Sequence, residues 1–152
     1  MASRRKGRIL AFQALYSWDV HYTQTGDASI PGDLLDFSWN FEAGDTPALD
    51  EELSAFSRLL ITGTVENITR IDRMIQKHLK NWDINRLNRV DLALLRMSVY
   101  TLMFQADIPP TIVIDEAIGI SKEFGADDSY RFINGVLDGI LKTLAPPPGG
   151  TK

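Results

Sequence analysis

The sequence predicts an all-α protein of six or seven helices. Apolar residues recur at helical spacing through most of the chain. No segment alternates convincingly between apolar and polar residues, so no β-strand is predicted. The 152 residues, 44% of them hydrophobic, suit one domain with a substantial core. We expect that domain to span residues 1–145, and the Pro- and Gly-rich residues 146–152 to form a disordered tail.

In the first half of the chain, a helix is predicted over residues 4–23, where Ile9 opens a regular apolar stripe. Residues 24–47 hold several Gly and Pro residues and predict a loop, with room for a short helix within it. Thr46 followed by Pro47 then predicts a helix start, with a hydroxyl N-cap and a proline at the first helical position. Gly63 is a candidate break within the helical pattern that follows.

In the second half, Asp83 or Asn85 is the predicted cap of a helix that ends before two consecutive prolines. The next segment contains β-branched residues, but its acids near the start and Gly125 just past the end favour a helix with a glycine C-cap. The last helix begins near residues 127–129.

The composition excludes several classes of protein and site. The chain has no cysteine, which rules out disulfides and thiolate metal sites. It has no apolar run near the ~20 residues of a membrane span, and its first residues lack a secretory signal. His21 and His78 do not form a zinc motif, and there is no phosphate-binding or nucleophile-elbow motif. We therefore expect no enzymatic activity, cofactor or metal, and a cytoplasmic protein.

The charge is distributed unevenly. Residues 9–57 contain nine of the 20 acids and no Lys or Arg, so the rest of the chain carries all 16 basic residues against 11 acids. Four cations, Arg4, Arg5, Lys6 and Arg8, form what we call the basic segment. It can neutralise phosphates, or it can be a solvated helix start. Gly7 lowers helix stability by about 1 kcal/mol relative to Ala, which predicts a turn that orders on binding.

The start of the last helix offers a second candidate site. On a helical wheel, Phe132 lies at the border of the apolar stripe formed by Ile133, Val136 and Ile140. An aromatic ring there is either a lid on the core or a platform for an unstacked base. Asp127 and Asp128 favour helix capping over cation binding. Further along, Gly135 and Gly139 favour close helix packing over a ligand site.

Three blocks of this sequence resemble the NusB family of transcription antitermination factors. They are "RRKGRILAFQALYSWDV", "VDLALLRMSVYTLMF" with the "DIPP" that follows, and "IDEAIGISKEFGADDSYRFINGVLDGIL". The resemblance is clear over residues 4–22 and about 89–142, loose over 48–80 and absent over 24–47. It implies two stacked helical bundles and no enzymatic activity.

The resemblance also implies a function and a set of sites. Members of the family pair with ribosomal protein NusE, bind boxA RNA in ribosomal RNA leaders, and act with other Nus factors on the RNA polymerase elongation complex to promote read-through. Tyr16 and Asp91 match positions that face NusE. The RNA-contacting positions that it implies are Arg4, Arg5, Lys6, Arg8, Lys122, Asp128, Tyr130 and Phe132.

Two other functions are alternatives to antitermination through NusE and boxA RNA. A protein-interaction module on the same fold, without RNA binding of its own, is the alternative. Some members of the family form dimers that cover the RNA surface, so a homodimer is also among the expectations. The same domain is found attached to ribosomal RNA methyltransferases, but this chain has no glycine-rich cofactor loop. It also departs from the family at Gly7, at Tyr130 in place of the more frequent His, and in the acidic residues 24–47.

Overall fold

A computed structural model of the chain describes residues 4–37 and 51–144. The described residues form seven α-helices and one 3₁₀ turn, Ile84–Arg86. The α-helices are α1 (Arg4–Thr25), α2 (Gly32–Asp36), α3 (Glu51–Glu66), α4 (Ile68–Lys77), α5 (Arg89–Phe104), α6 (Pro110–Phe124) and α7 (Ser129–Leu144). The predicted all-α class is confirmed. None of the described helices is long and apolar enough to cross a membrane.

The chain divides into two compact units, Met1–Asn67 and Ile68–Lys152. In the first unit, α1 packs along α3, and the largest buried side chain is Trp18 at 1% exposure. The Trp18 indole donates a hydrogen bond to the Ala28 carbonyl at 3.3 Å and its ring stacks on Tyr22. This contact fixes the segment after α1 against the helix.

The second unit is built around α5. All residues from Asp91 to Thr101 are buried, because α4, α6 and α7 all pack against this helix. A helix that is apolar on most of its circumference can be stable only in such a central position. By contrast, α4 is strongly amphipathic, with Ile68, Ile71 and Ile75 buried. Its opposite face is polar.

Two predicted boundaries are wrong, and side-chain capping explains both. Gly63 lies inside α3; the helix breaks at Asn67, whose side-chain amide donates to the Gly63 carbonyl at 2.8 Å. The cap of α5 is Asn88, whose side chain accepts hydrogen bonds from the backbone N–H groups of Val90 and Asp91. Asp83 instead caps the preceding 3₁₀ turn.

The predicted end of α6 at Gly125 is confirmed, but not by a left-handed glycine. Gly125 has an extended backbone, with φ −95° and ψ −178°. A Cβ there would lie 2.9 Å from the Ser121 carbonyl oxygen and 3.2 Å from the Ser129 Cβ. Glycine is therefore required by the close approach of α6 to the start of α7. The predicted Thr46 cap and the predicted tail at residues 146–152 fall outside the described residues.

Candidate nucleic-acid interface

The basic segment begins α1 and lies against an aromatic ring of α3. The Arg4 Cζ lies 4.3 Å from the centroid of the Phe56 ring, and the Arg8 Cζ lies 5.5 Å from it. A guanidinium at this distance over an aromatic face is held by a cation–π interaction. Arg4 and Lys6 are exposed, Arg5 is half-buried, and Arg8 is only 8% exposed. Of the four cations of the basic segment, Arg8 is therefore the least accessible to RNA phosphates.

Gly7 explains why α1 can approach α3 so closely. A Cβ at Gly7 would lie 2.6 Å from the Phe56 Cδ2 and 3.0 Å from the Leu53 Cδ1. The Ser57 hydroxyl donates a hydrogen bond to the Gly7 carbonyl oxygen at 2.9 Å. The turn around Gly7 is thus helical and packed against α3, and its ordering on RNA binding stays a prediction. Its absent side chain makes room for Phe56, which in turn positions Arg4 and Arg8.

We expect the exposed and half-buried cations of the basic segment to contribute a sequence-independent part of RNA affinity. Replacing Arg5 and Lys6 by Gln should flatten the dependence of log affinity on log salt by about 1.4, since each phosphate contact with single-stranded RNA contributes about 0.7. Binding of a boxA RNA and a scrambled RNA, measured over a salt series, should weaken by the same factor. An unchanged slope would show that this segment does not contact phosphate.

A second cluster of candidate residues lies where α6 ends and α7 begins. The Lys122 Nζ lies 4.8 Å from the centroid of the Tyr130 ring, so the structure brings these two predicted residues together. Arg131 joins them, because its Nε donates a hydrogen bond to the Tyr130 Oη at 3.1 Å and its Cζ lies 5.6 Å from the ring. Sequence reasoning missed Arg131, although a cation between two aromatic residues was a usable signal. Asp128 is exposed beside them.

Phe132 is half-buried and forms part of the wall of a groove between α4 and α7. The groove has a volume of roughly 480 Å³. The two glycines of α7 differ in the space around them. A Cβ at Gly139 would lie 3.1 Å from the His78 ring, which matches the predicted close packing, whereas a Cβ at Gly135 would meet nothing within 4 Å. The groove is therefore open beside Gly135.

The two residues predicted to face NusE are in different environments. Tyr16 is 41% exposed on α1, as a contact residue requires. Asp91 is 7% exposed near the start of α5, and its Oδ2 accepts a hydrogen bond from the Ser129 hydroxyl at 3.2 Å. The Asp91 Oδ1 is buried without a hydrogen-bond partner among the described residues. Asp91 is thus a buried link between α5 and α7.

Burial raises the pKa of the Asp91 carboxyl above its usual 3.8, and the hydrogen bond from Ser129 opposes that rise. Just above pH 3.8 the folded protein therefore keeps a proton that the unfolded chain has released. Proton binding at Asp91 therefore stabilises the folded protein fully below the usual pKa of the carboxyl. This stabilisation is lost as the pH rises through the raised pKa of the folded state.

An Asp91→Asn variant should lack this pH dependence while keeping an acceptor for Ser129. Relative to the parent protein, its free energy of unfolding should increase as the pH rises from about 4 to 7. Urea unfolding at a series of pH values measures the difference. If the difference between the two proteins is the same at every pH, Asp91 does not titrate in this range.

The start of α7 gives no indication of a metal site. Within residues 4–37 and 51–144, no group of three or more His, Cys, Asp or Glu side chains could hold a metal ion. The helix begins at Ser129, so Asp128 stands directly before it. A capping role for the acid pair stays a prediction.

The family model described as "NusB family" matches residues 5–142. The chain belongs to the NusB family. It is 53% identical over 137 residues to the transcription antitermination protein NusB of Treponema denticola, covering 90% of this chain and 94% of that protein. It is 45% identical over 146 residues to the NusB of Geotalea uraniireducens, with 95% and 97% covered.

Solved NusB structures share the fold. NusB from T. maritima matches with a TM-score of 0.77 and 35% identity, over 95% of this chain and 94% of that one. A NusB chain in a structure described as antitermination factors NusB and NusE in complex with dsRNA matches with a TM-score of 0.74 and 29% identity. That match covers 92% of this chain and 96% of the other. The NusB resemblance predicted from the three sequence blocks is confirmed.

Proposed function

We propose that this protein is a transcription antitermination factor that pairs with ribosomal protein NusE and binds boxA RNA of ribosomal RNA leaders. Acting with the other Nus factors on RNA polymerase, it promotes read-through of terminators in the bacterial cytoplasm. The observation that carries the proposal is the likeness, over 92% of the chain, to a NusB seen with NusE and RNA. The proteins in this family are antitermination factors, not enzymes.

The cluster at the start of α7 supports an RNA-binding role on physical grounds. Aromatic surfaces stack on bases without strong sequence preference, and nearby cations attract the phosphates. Lys122, Tyr130, Arg131 and Phe132 combine both features within one helix junction. We assign these residues, with Asp128, to one RNA-contacting site and the basic segment to another. We assign Tyr16 to the NusE-binding surface because of its exposure.

The proposal is tested by titrating labelled boxA RNA with this protein, with NusE, and with their mixture. We expect the mixture to bind more tightly than either protein alone, to prefer boxA over a scrambled RNA, and to weaken as salt is added. A mixture that forms a protein complex but binds RNA no better than its components would favour the alternative, an interaction module without RNA binding. A mixture that forms no protein complex would contradict the pairing with NusE.

A further inference from the structure

The polar face of α4 carries a line of cations. Arg70, Arg73 and Lys77 are three and four residues apart, so they fall within about 60° of one another on the helix. Lys80 follows just beyond the helix end. All four side chains are exposed, and we call them the α4 stripe. From Arg70 to Lys77 the helix rises about 10 Å, enough to follow several phosphates of a nucleic-acid strand.

The charge of the α4 stripe is not neutralised within the described residues. The one acid of α4, Asp72, is engaged elsewhere, because its two oxygens accept hydrogen bonds from Arg96 Nε and Nη2, both at 2.9 Å. No described carboxylate forms an ion pair with Arg73, Lys77 or Lys80. The stripe is thus available to an anionic partner.

The α4 stripe leads directly to Phe132. Lys77 and Lys80 lie on one side of the groove between α4 and α7, and Arg131 and Phe132 lie on the other. The missing side chain of Gly135 leaves open space within that groove.

A smaller concavity of about 170 Å³ continues along α4. It is lined by Arg70, Arg73, Met74, Lys77 and Met103. Lys77 lines both hollows, so they are neighbours along α4. At the far end, Arg70 lies over Phe104, with 5.2 Å between the Cζ and the ring centroid.

We propose that the α4 stripe binds the phosphates of an RNA segment that flanks the part held at Phe132. The strand passes from Phe132 through the groove and continues along α4 toward Arg70. This inference rests on the proposed function and extends it to residues outside the basic segment and the α7 start. A single-stranded RNA fits better than an acidic protein or a lipid surface, because an aromatic ring stands at each end of the run of cations, Phe132 at one and Phe104 at the other.

The test compares two RNAs in the presence of NusE. One is a boxA core, and the other is the same core extended by about ten nucleotides at each end, within the range that such grooves accommodate. The parent protein should bind the extended RNA more tightly and with a steeper salt dependence. A Lys77→Gln/Lys80→Gln variant should lose roughly tenfold in affinity for the extended RNA at low salt, with a slope lower by about 1.4. Its affinity for the core should change less than about twofold.

Lys142→Gln is the matched control. Lys142 is an exposed lysine of α7 that already pairs with Asp138 at 3.1 Å. Its replacement should therefore leave the affinity for both RNAs unchanged. Melting temperatures of all three proteins should agree, since the replaced side chains are exposed.

The outcomes separate the inference from the proposed function. If the parent binds boxA RNA but the double variant binds the extended RNA equally well, the α4 stripe has no role in RNA binding and the inference is wrong. If the parent with NusE binds no RNA at all, the proposed function fails and the inference fails with it. Vesicles containing phosphatidylglycerol serve as a third probe. Vesicle binding that depends on Lys77 and Lys80, with RNA binding unchanged, would assign the stripe to lipid headgroups and also overturn the inference.

Discussion

Replacing Phe132 by Ala is expected to weaken RNA binding by about 1–3 kcal/mol, since it removes a flat surface on which one base can stack. Phe132 is half-buried beside an open groove, so part of its ring is accessible to a base. If Phe132 served only as a lid on the core, the same change should instead cost about 3–5 kcal/mol of folding stability. Affinity titrations and urea unfolding of the same variant distinguish the two roles.

Two further substitutions sharpen this test. Phe132→Leu keeps most of the apolar volume but has no aromatic face, so it should preserve stability and still lose RNA affinity. Asp128→Asn keeps a side-chain oxygen just before α7 and removes a negative charge, so stability should hold and RNA affinity should rise, most clearly at low salt. Normal RNA affinity in Phe132→Leu would show that no base stacks on the Phe132 ring. Weaker binding in Asp128→Asn would show that this carboxylate does not oppose RNA.

Replacing Arg96 by Met is expected to lower the free energy of unfolding by about 3 kcal/mol. Arg96 is buried on α5, and it neutralises Asp72 of α4 through two hydrogen bonds of 2.9 Å. Without Arg96, the Asp72 carboxylate would be left mostly buried without its compensating charge, which typically costs about 3–5 kcal/mol. We expect the lower end of that range because the Asp72 side chain is 22% exposed and water can solvate it in part.

The exposed pair of Lys142 and Asp138 is the control for this prediction. Its side chains are 77% and 51% exposed, so removing the pair should change stability by less than about 0.5 kcal/mol. A double variant, Arg96→Met with Asp72→Leu, should recover much of the stability that the single change loses. A single variant as stable as the parent protein would mean that Asp72 is solvated well enough without its partner.

The sequence was sufficient for the features that depend on local chemistry. The end of α6 and the start of α7 followed from Gly125 and the polar residues at 127–129. Helix boundaries were wrongly predicted where several nearby residues could have capped or broken the helix. Asn88 rather than Asp83 caps α5, and Asn67 rather than Gly63 separates α3 from α4, because the side chain that reaches the backbone decides the boundary.

The sequence alone could not predict which of the site residues are buried. Arg8 and Asp91 carry charges and were expected at the surface, yet both are buried. Each contacts a residue distant in the chain, Phe56 for Arg8 and Ser129 for Asp91. A helical period identifies which residues share a face, but not which partner covers that face. The exposure of Tyr16, Tyr130 and Phe132 agrees with their predicted roles, which remain predictions.

The hydrogen bond between Asp91 and Ser129 has a consequence for how variants of this family can be combined. It ties the first turn of α5 to the first turn of α7, so neither position can change independently of the other. An apolar residue at 91 would leave the buried Ser129 hydroxyl without its acceptor, and an apolar residue at 129 would leave the Asp91 carboxylate without its donor. A chimera that takes α7 from a relative should therefore take α5 from the same relative.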